Sequence, residues 1–188
     1  PYFFLNVAKK SRLYHKITRT VIQKAFDKFA NETSSFSINI SALDISSPAL
    51  VDYILNKLSR YGIGDRVIFE ILESEGIDNY EEVYDFIEKI KGFGCKVSID
   101  DFGTGYSNFE HILKLKPNFI KIDGSLIKNI DKDKNAQIIT KAIVSFANEL
   151  GAKTIAEYVH SKEVYEVVVS LNIDYSQGYY IAEPKPDI

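Results

Sequence analysis

Cysteine is nearly missing from this sequence: Cys95 stands alone among 188 residues. An intramolecular disulfide and a cysteine-based zinc site are therefore excluded, and a reducing, cytoplasmic setting fits the count. Cys95 itself reads as a small residue packed just ahead of a strand. Histidine is scarce as well. His15, His111 and His160 lack metal-motif spacing, and the first two read as surface helix residues. No apolar run approaches the ~18 residues needed to cross a bilayer and no signal peptide opens the chain, so no membrane contact is expected from this segment. No glycine-rich dinucleotide or phosphate loop opens a helix. Linkers, low-complexity tracts and internal repeats are absent too. A formal net charge of −3 gives no electrostatic case for a nucleic-acid duplex as partner. Asp101-Phe-Gly103 spells the kinase metal-binding tripeptide, but no glycine-rich nucleotide loop and no His-Arg-Asp accompany it, which argues against a kinase.

What is present is ordinary for a globular protein: 45% hydrophobic and 26% charged residues, in a length that suits one domain with a substantial core. Ile17, Val21, Ala25 and Phe29, widened by Ile22 and Phe26, predict a helix over 13–30. Alternation predicts a strand over 35–40, and Val51, Ile54, Leu55 and Leu58 a helix over 48–60. An apolar strand follows at 67–72. Val83, Phe86, Ile87 and Ile90 then mark a helix over 79–91. Lys96-Val-Ser-Ile-Asp-Asp-Phe-Gly-Thr-Gly-Tyr106 begins as a strand and ends in a flexible loop. A short helix over 108–115 and a strand over 119–123 come next. The longest helix, 135–150, carries Ile138, Ile139, Ala142, Ile143 and Phe146. A strand over 153–159, a helix capped by Ser161 and a strand over 175–182 complete the chain. Six strands alternating with helices predict a parallel sheet with helices outside it. The alternation alone does not separate a closed barrel from an open sheet.

Each strand carries polar residues at or near its C-terminal end: Asn39, Glu70, Asp100 with Asp101, Lys121, Glu157 and Gln177. A charge inside a buried strand is costly unless it is paired or metal-bound. One such residue is as often a structural ion pair; six strands in succession are hard to attribute to packing. In a β/α barrel all strand C-termini converge on one mouth, where active sites sit, so their number favours a barrel. Asp100 and Asp101 are sequence neighbours, and neighbours on a strand point to opposite faces. They can share a site only where the strand is ending, and together they repel unless a cation or a shared proton stabilises them. Four carboxylates and an amide oxygen suit Mg²⁺ or Mn²⁺ rather than zinc. Their number hints at two ions, an arrangement that clamps a phosphoryl centre and activates water. Lys121 would then stabilise charge on the phosphate.

These residues resemble the EAL-domain phosphodiesterases of bacterial cyclic di-GMP signalling. The resemblance rests on Asn39-Ile-Ser41, Glu70-Ile-Leu-Glu-Ser74, Asp100-Asp-Phe-Gly-Thr-Gly-Tyr106, Lys121-Ile-Asp123, Ala156-Glu157 and Gln177-Gly-Tyr179, and runs to Pro184. It implies an α/β fold, a modified eight-stranded β/α (TIM-like) barrel. About six of the eight strands are visible, and residues 1–188 form a single domain lacking its first two strands and its closing C-terminal helix. It implies hydrolysis of cyclic di-GMP to the linear dinucleotide pGpG with Mg²⁺ or Mn²⁺, two ions in all. Asn39, Glu70, Asp100, Asp101 and Glu157 are expected as metal ligands, Lys121 and Glu157 as catalytic residues. Gln177 is expected to support the site, and Glu73 to anchor the Asp-Phe-Gly-Thr-Gly loop. Cyclic di-GMP, a second copy of the chain and upstream signalling domains are the implied partners, with the domain in the cytoplasm and any membrane tether elsewhere in the protein. Two departures bear on activity. The Glu-Ala-Leu segment that names the family is absent, and Tyr158-Val-His160 stands where the family has Gly-Val-Glu. They leave a second expectation, a degenerate domain that binds cyclic di-GMP or a protein partner without hydrolysis.

Overall fold

The structure is a computed structural model that describes residues 13–72, 80–103 and 109–185. Glu73 and the loop segment from Thr104 to Tyr106 lie outside the described residues. The chain divides into two compact units, residues 1–71 with 75–96, and residues 72–74 with 97–188. No helix among the described residues is long and apolar enough to cross a membrane.

In the first unit, helix α1 (Tyr14–Phe29) buries Tyr14, Thr18, Ile22 and Phe26. That stripe runs one residue round from the expected one, and Val21 is half exposed. Two polar residues take core positions because their hydroxyls find partners, Tyr14 on Ser41 Oγ at 3.0 Å and Thr18 on Asp44 Oδ1 at 2.9 Å. Strand β1 (Phe36–Ile40) pairs in parallel with β2 (Val67–Leu72), with Asn39 opposite Glu70. Between them lie α2 (Ala42–Ile45) and α3 (Pro48–Tyr61). Four residues are too few to show a period, so α2 escapes sequence analysis; a capping box between Ser41 and Asp44 makes it. Proline in its first turn starts α3, and Gly62 at φ +63° ends it. Helix α4 (Tyr80–Lys91) buries the expected Val83, Phe86, Ile87 and Ile90, each contributing roughly 1.5–3 kcal/mol. Cys95 is buried as expected, and burial first, then the Asp65 charge, pushes its thiol up to about 12.

The second unit carries β3 (Lys96–Phe102), β4 (Phe119–Ile122), β5 (Lys153–Ala156) and β6 (Tyr175–Ser176), each parallel to the next. Its helices are α5 (Phe109–Leu115), α6 (Gly124–Ile127), α7 (Lys134–Leu150) and α8 (Lys162–Ser170). Asp133 caps α7 by accepting from the Asn135 and Ala136 amides. The buried face of α7 is Ala136, Thr140, Ile143, Val144 and Ala147, whereas Ile138 and Ile139 face outward. Ile138 shares its side of the helix with Lys134, Lys141 and Ser145, and Ile139 stands at the edge of the apolar stripe. Strand β5 stops at Ala156, short of the expected 159, and β6 has two residues in place of the expected 175–182. Backbone contact explains both. The Val159 amide donates to Gln177 O and the Tyr180 amide to Val159 O, both at 3.0 Å. Gly178 sits so close that a Cβ there would lie 2.2 Å from Val159 O, so the chain turns instead of extending.

Candidate metal and active site

Strand β3 brings adjacent aspartates to one place through a bulge. Ser98 and Ile99 face Phe119 and Ile120, but Phe102 next faces Ile122, three steps on β3 against two on β4. One extra residue is accommodated, and Asp101 takes it up at φ +55°, a left-handed backbone that aspartate tolerates better than most residues. The bulge returns Phe102 to the core, fully buried, with its ring 5.9 Å from Phe109 and 6.3 Å from Phe146. Carboxylate oxygens of Asp100, Asp101 and Glu157 then lie within 4.8 Å of one another. The sharing expected where the strand is ending falls in the last three residues of β3, and the bulge is its means.

Lys121, from β4, stands among these carboxylates. Its register partner on β5 is Ile155, two residues before Glu157, which sets Lys121 and Glu157 on one face. Lys121 Nζ lies 2.7 Å from Asp100 Oδ1 and 2.8 Å from Glu157 Oε1, and the lysine is 6% exposed. Three carboxylates against one ammonium leave the cluster negative. Burial holds Glu157 above the usual carboxylate range in spite of its hydrogen bond from Lys121. Asp101 is raised as well, by burial first and then by the charges of Asp100 and Asp123. Asp100 Oδ1 is buried and, for all its closeness to Lys121, receives no hydrogen bond of acceptable geometry. An oxygen-only donor set with an under-satisfied buried oxygen fits a hard divalent cation.

A cleft of about 550 Å³ opens beside Glu157, lined by Asp123, Tyr158, His160, Gln177 and Tyr179 among others. Gln177 is held there by its backbone N–H, which donates to Ala156 O at 2.8 Å. His160 is exposed on the cleft wall, its Nδ1 3.2 Å from Tyr158 O. In the first unit, Asn39 is exposed and Glu70 half buried, on opposed register positions of one face. The structure therefore brings together Asp100, Asp101, Lys121 and Glu157, sets Gln177 on the adjoining cleft and places Asn39 beside Glu70. Asp123, Tyr158 and Tyr179 were missed as site residues. Asp123 was within reach, because it follows Lys121 by two and the strand period of two carries it to the same side. Contrary to expectation, His15 is no simple surface residue: its Nδ1 lies 3.4 Å from the buried Asp44.

A family model described as the EAL domain matches residues 1–184. The cyclic di-GMP phosphodiesterase PdeF of Escherichia coli (strain K12) is 32% identical over 99% of this chain and 26% of its own length. A solved PaMucR phosphodiesterase in complex with c-di-GMP superposes with a TM-score of 0.92 at 30% identity, over 99% of this chain and 84% of that one. Klebsiella pneumoniae BlrP1, solved as a manganese and cyclic di-GMP complex, gives a TM-score of 0.80 at 25% identity, over 90% of this chain and 44% of that one. The chain spans about a quarter of the length of the curated relatives it matches. Its fold is the α/β, TIM-like type of EAL-domain structures.

Proposed function

Because the chain belongs to the EAL-domain family, we propose that it is a metal-dependent phosphodiesterase that hydrolyses cyclic di-GMP to pGpG. The observation that carries this is the partly buried cluster of Asp100, Asp101 and Glu157, with Lys121 paired to two of them. Asp100, Asp101 and Glu157 would hold Mg²⁺ or Mn²⁺, and Asn39 and Glu70, side by side in the first unit, offer oxygens of the same hard type. Bound ions of this kind supply Lewis-acid polarisation of a phosphoryl oxygen and a water that ionises near neutral pH. Lys121 places fixed positive charge where the phosphoryl group gains negative charge. Glu157, whose proton affinity burial raises, takes up the proton lost by the attacking water. Gln177 supports the wall of the cleft, whose volume suits a small-molecule ligand. The domain acts in the cytoplasm, as part of a longer signalling protein, and through pairing with a second copy.

A second reading, binding of cyclic di-GMP without hydrolysis, is favoured by one observation: His160 presents an imidazole on the wall of the cleft beside Glu157. Incubation with cyclic di-GMP and Mg²⁺ or Mn²⁺, followed by chromatography for pGpG, separates the two. Turnover that falls about 100-fold or more in Asp100→Ala is expected, the scale for loss of a charge-stabilising group. Binding with no product would leave the receptor reading, and neither binding nor product would overturn both.

A further inference from the structure

Lys121 holds the oxygens that an ion would use. Its buried ammonium contacts Asp100 Oδ1 and Glu157 Oε1 at 2.7 and 2.8 Å, and both residues belong to the three-carboxylate cluster. An ammonium and a divalent cation are both compact positive centres that seek the same carboxylate lone pairs. Asp100, largely buried, makes its contact through charge without a well-formed hydrogen bond, so direction does not bind that oxygen to the lysine. The bulge at Asp101 delivers a further carboxylate, which feels the charges of Asp100, Asp123 and Lys121. A single ammonium thus leaves the cluster with uncompensated charge, which burial makes costly.

On this geometry, and resting on the metal-dependent reading above, we propose that Lys121 competes with the divalent cation for Asp100 and Glu157 and releases at least one of them when the ion binds. Lys121 neutralises the cluster in the ion's stead and so lowers the affinity that the carboxylates alone would confer. The release links ion binding to the lysine's position: the ammonium becomes available to a phosphate only once a cation has taken over its carboxylates. The site is in this way sensitive to the concentration of the free ion.

The test titrates Mn²⁺ alone into the protein that carries this chain, with free ion read by electron paramagnetic resonance. Lys121→Met keeps the apolar stem and removes the charge, so affinity rises about 10-fold or more, as expected when a like charge in contact with the site is removed. Lys121→Arg keeps the charge and stays within a few fold of the unsubstituted protein. In that unsubstituted protein the ¹⁵N resonance of the Lys121 ammonium shifts when Mg²⁺ is added, which decides the matter should Lys121→Met fail to fold. Unchanged or weaker Mn²⁺ affinity in Lys121→Met, an unmoved Lys121 resonance at saturating Mg²⁺, or no ion binding at all refutes the competition. Neither readout involves cyclic di-GMP, so hydrolysis by the same preparation shows whether the phosphodiesterase reading stands when the competition fails.

Discussion

Each unit of the chain buries an aspartate, and the two are satisfied in opposite ways. In the first unit, Asp44 is 1% exposed and surrounded by donors. Its Oδ2 accepts from the Ser41 amide at 3.1 Å and from Ser41 Oγ at 2.7 Å, and its Oδ1 accepts from Thr18 Oγ1 at 2.9 Å. In the second unit, Asp100 is 9% exposed, and its Oδ1 meets a single ammonium without a proper hydrogen bond while two other carboxylates crowd it. A buried charge whose oxygens are all satisfied by local donors is scaffold: here it ties α1 to the turn after β1. A buried charge left short among like charges asks for a cation. Both are buried aspartates; the partners make the difference.

The largest expected effect removes what sets the second aspartate apart. Phe102→Ala empties the core position that the bulge serves, and should cost about 3–5 kcal/mol in urea unfolding and abolish Mn²⁺ binding. A variant that loses stability yet binds the ion normally would show that the bulge does not depend on Phe102. Asp44→Ala comes next. It strands the Ser41 and Thr18 donors and should cost about 2–3 kcal/mol, with ion binding intact wherever the protein is folded. Unaltered stability would mean that Asp44 is no anchor.

The smallest effect belongs to an intermediate case, Asp174. Burial pushes its pKa up, but Lys153 and the Thr154 amide and hydroxyl outweigh it and leave the carboxyl below its ordinary value. A lowered folded value means stability that is present above the unfolded pKa of about 3.9 and lost as pH falls through the folded one. Asp174 is solvent-screened, so Asp174→Asn should cost no more than about 0.5 kcal/mol at neutral pH, and the difference should shrink below about pH 4. A deficit that persists at the acid end would assign the effect to packing.

The strand and helix order was legible because β-branched runs and three- and four-residue apolar spacings are strong signals, and the inward face of α4 was recovered in full. On α7, Ile138 and Ile139 were expected inward but are exposed, because Ile138 lies in the polar sector with Lys134, Lys141 and Ser145 and Ile139 at the edge of the apolar stripe. The four-residue α6, like α2, depends on a cap, Asp123 accepting from the Ser125 amide, and carries no period to read. At the site, the carboxylates and Lys121 were legible as residue types at strand ends. The bulge was not, since nothing in Asp-Asp-Phe says which residue takes the left-handed backbone until Phe102 finds Phe109 and Phe146. Nor was the pairing of His15 with Asp44, which depends on a contact between distant segments.

The contrast between the two aspartates is tested most directly by Mn²⁺ titration of Asp100→Asn and Asp44→Asn side by side, with unfolding measured on the same samples. Asp100→Asn should lower ion affinity by about 10-fold or more while stability holds or rises, because one of several repelling charges is gone. Asp44→Asn should lose stability and keep the affinity of the unsubstituted protein. An Asp100→Asn protein that binds Mn²⁺ as tightly as the unsubstituted one, or an Asp44→Asn protein that folds as well but loses the ion, would contradict the account.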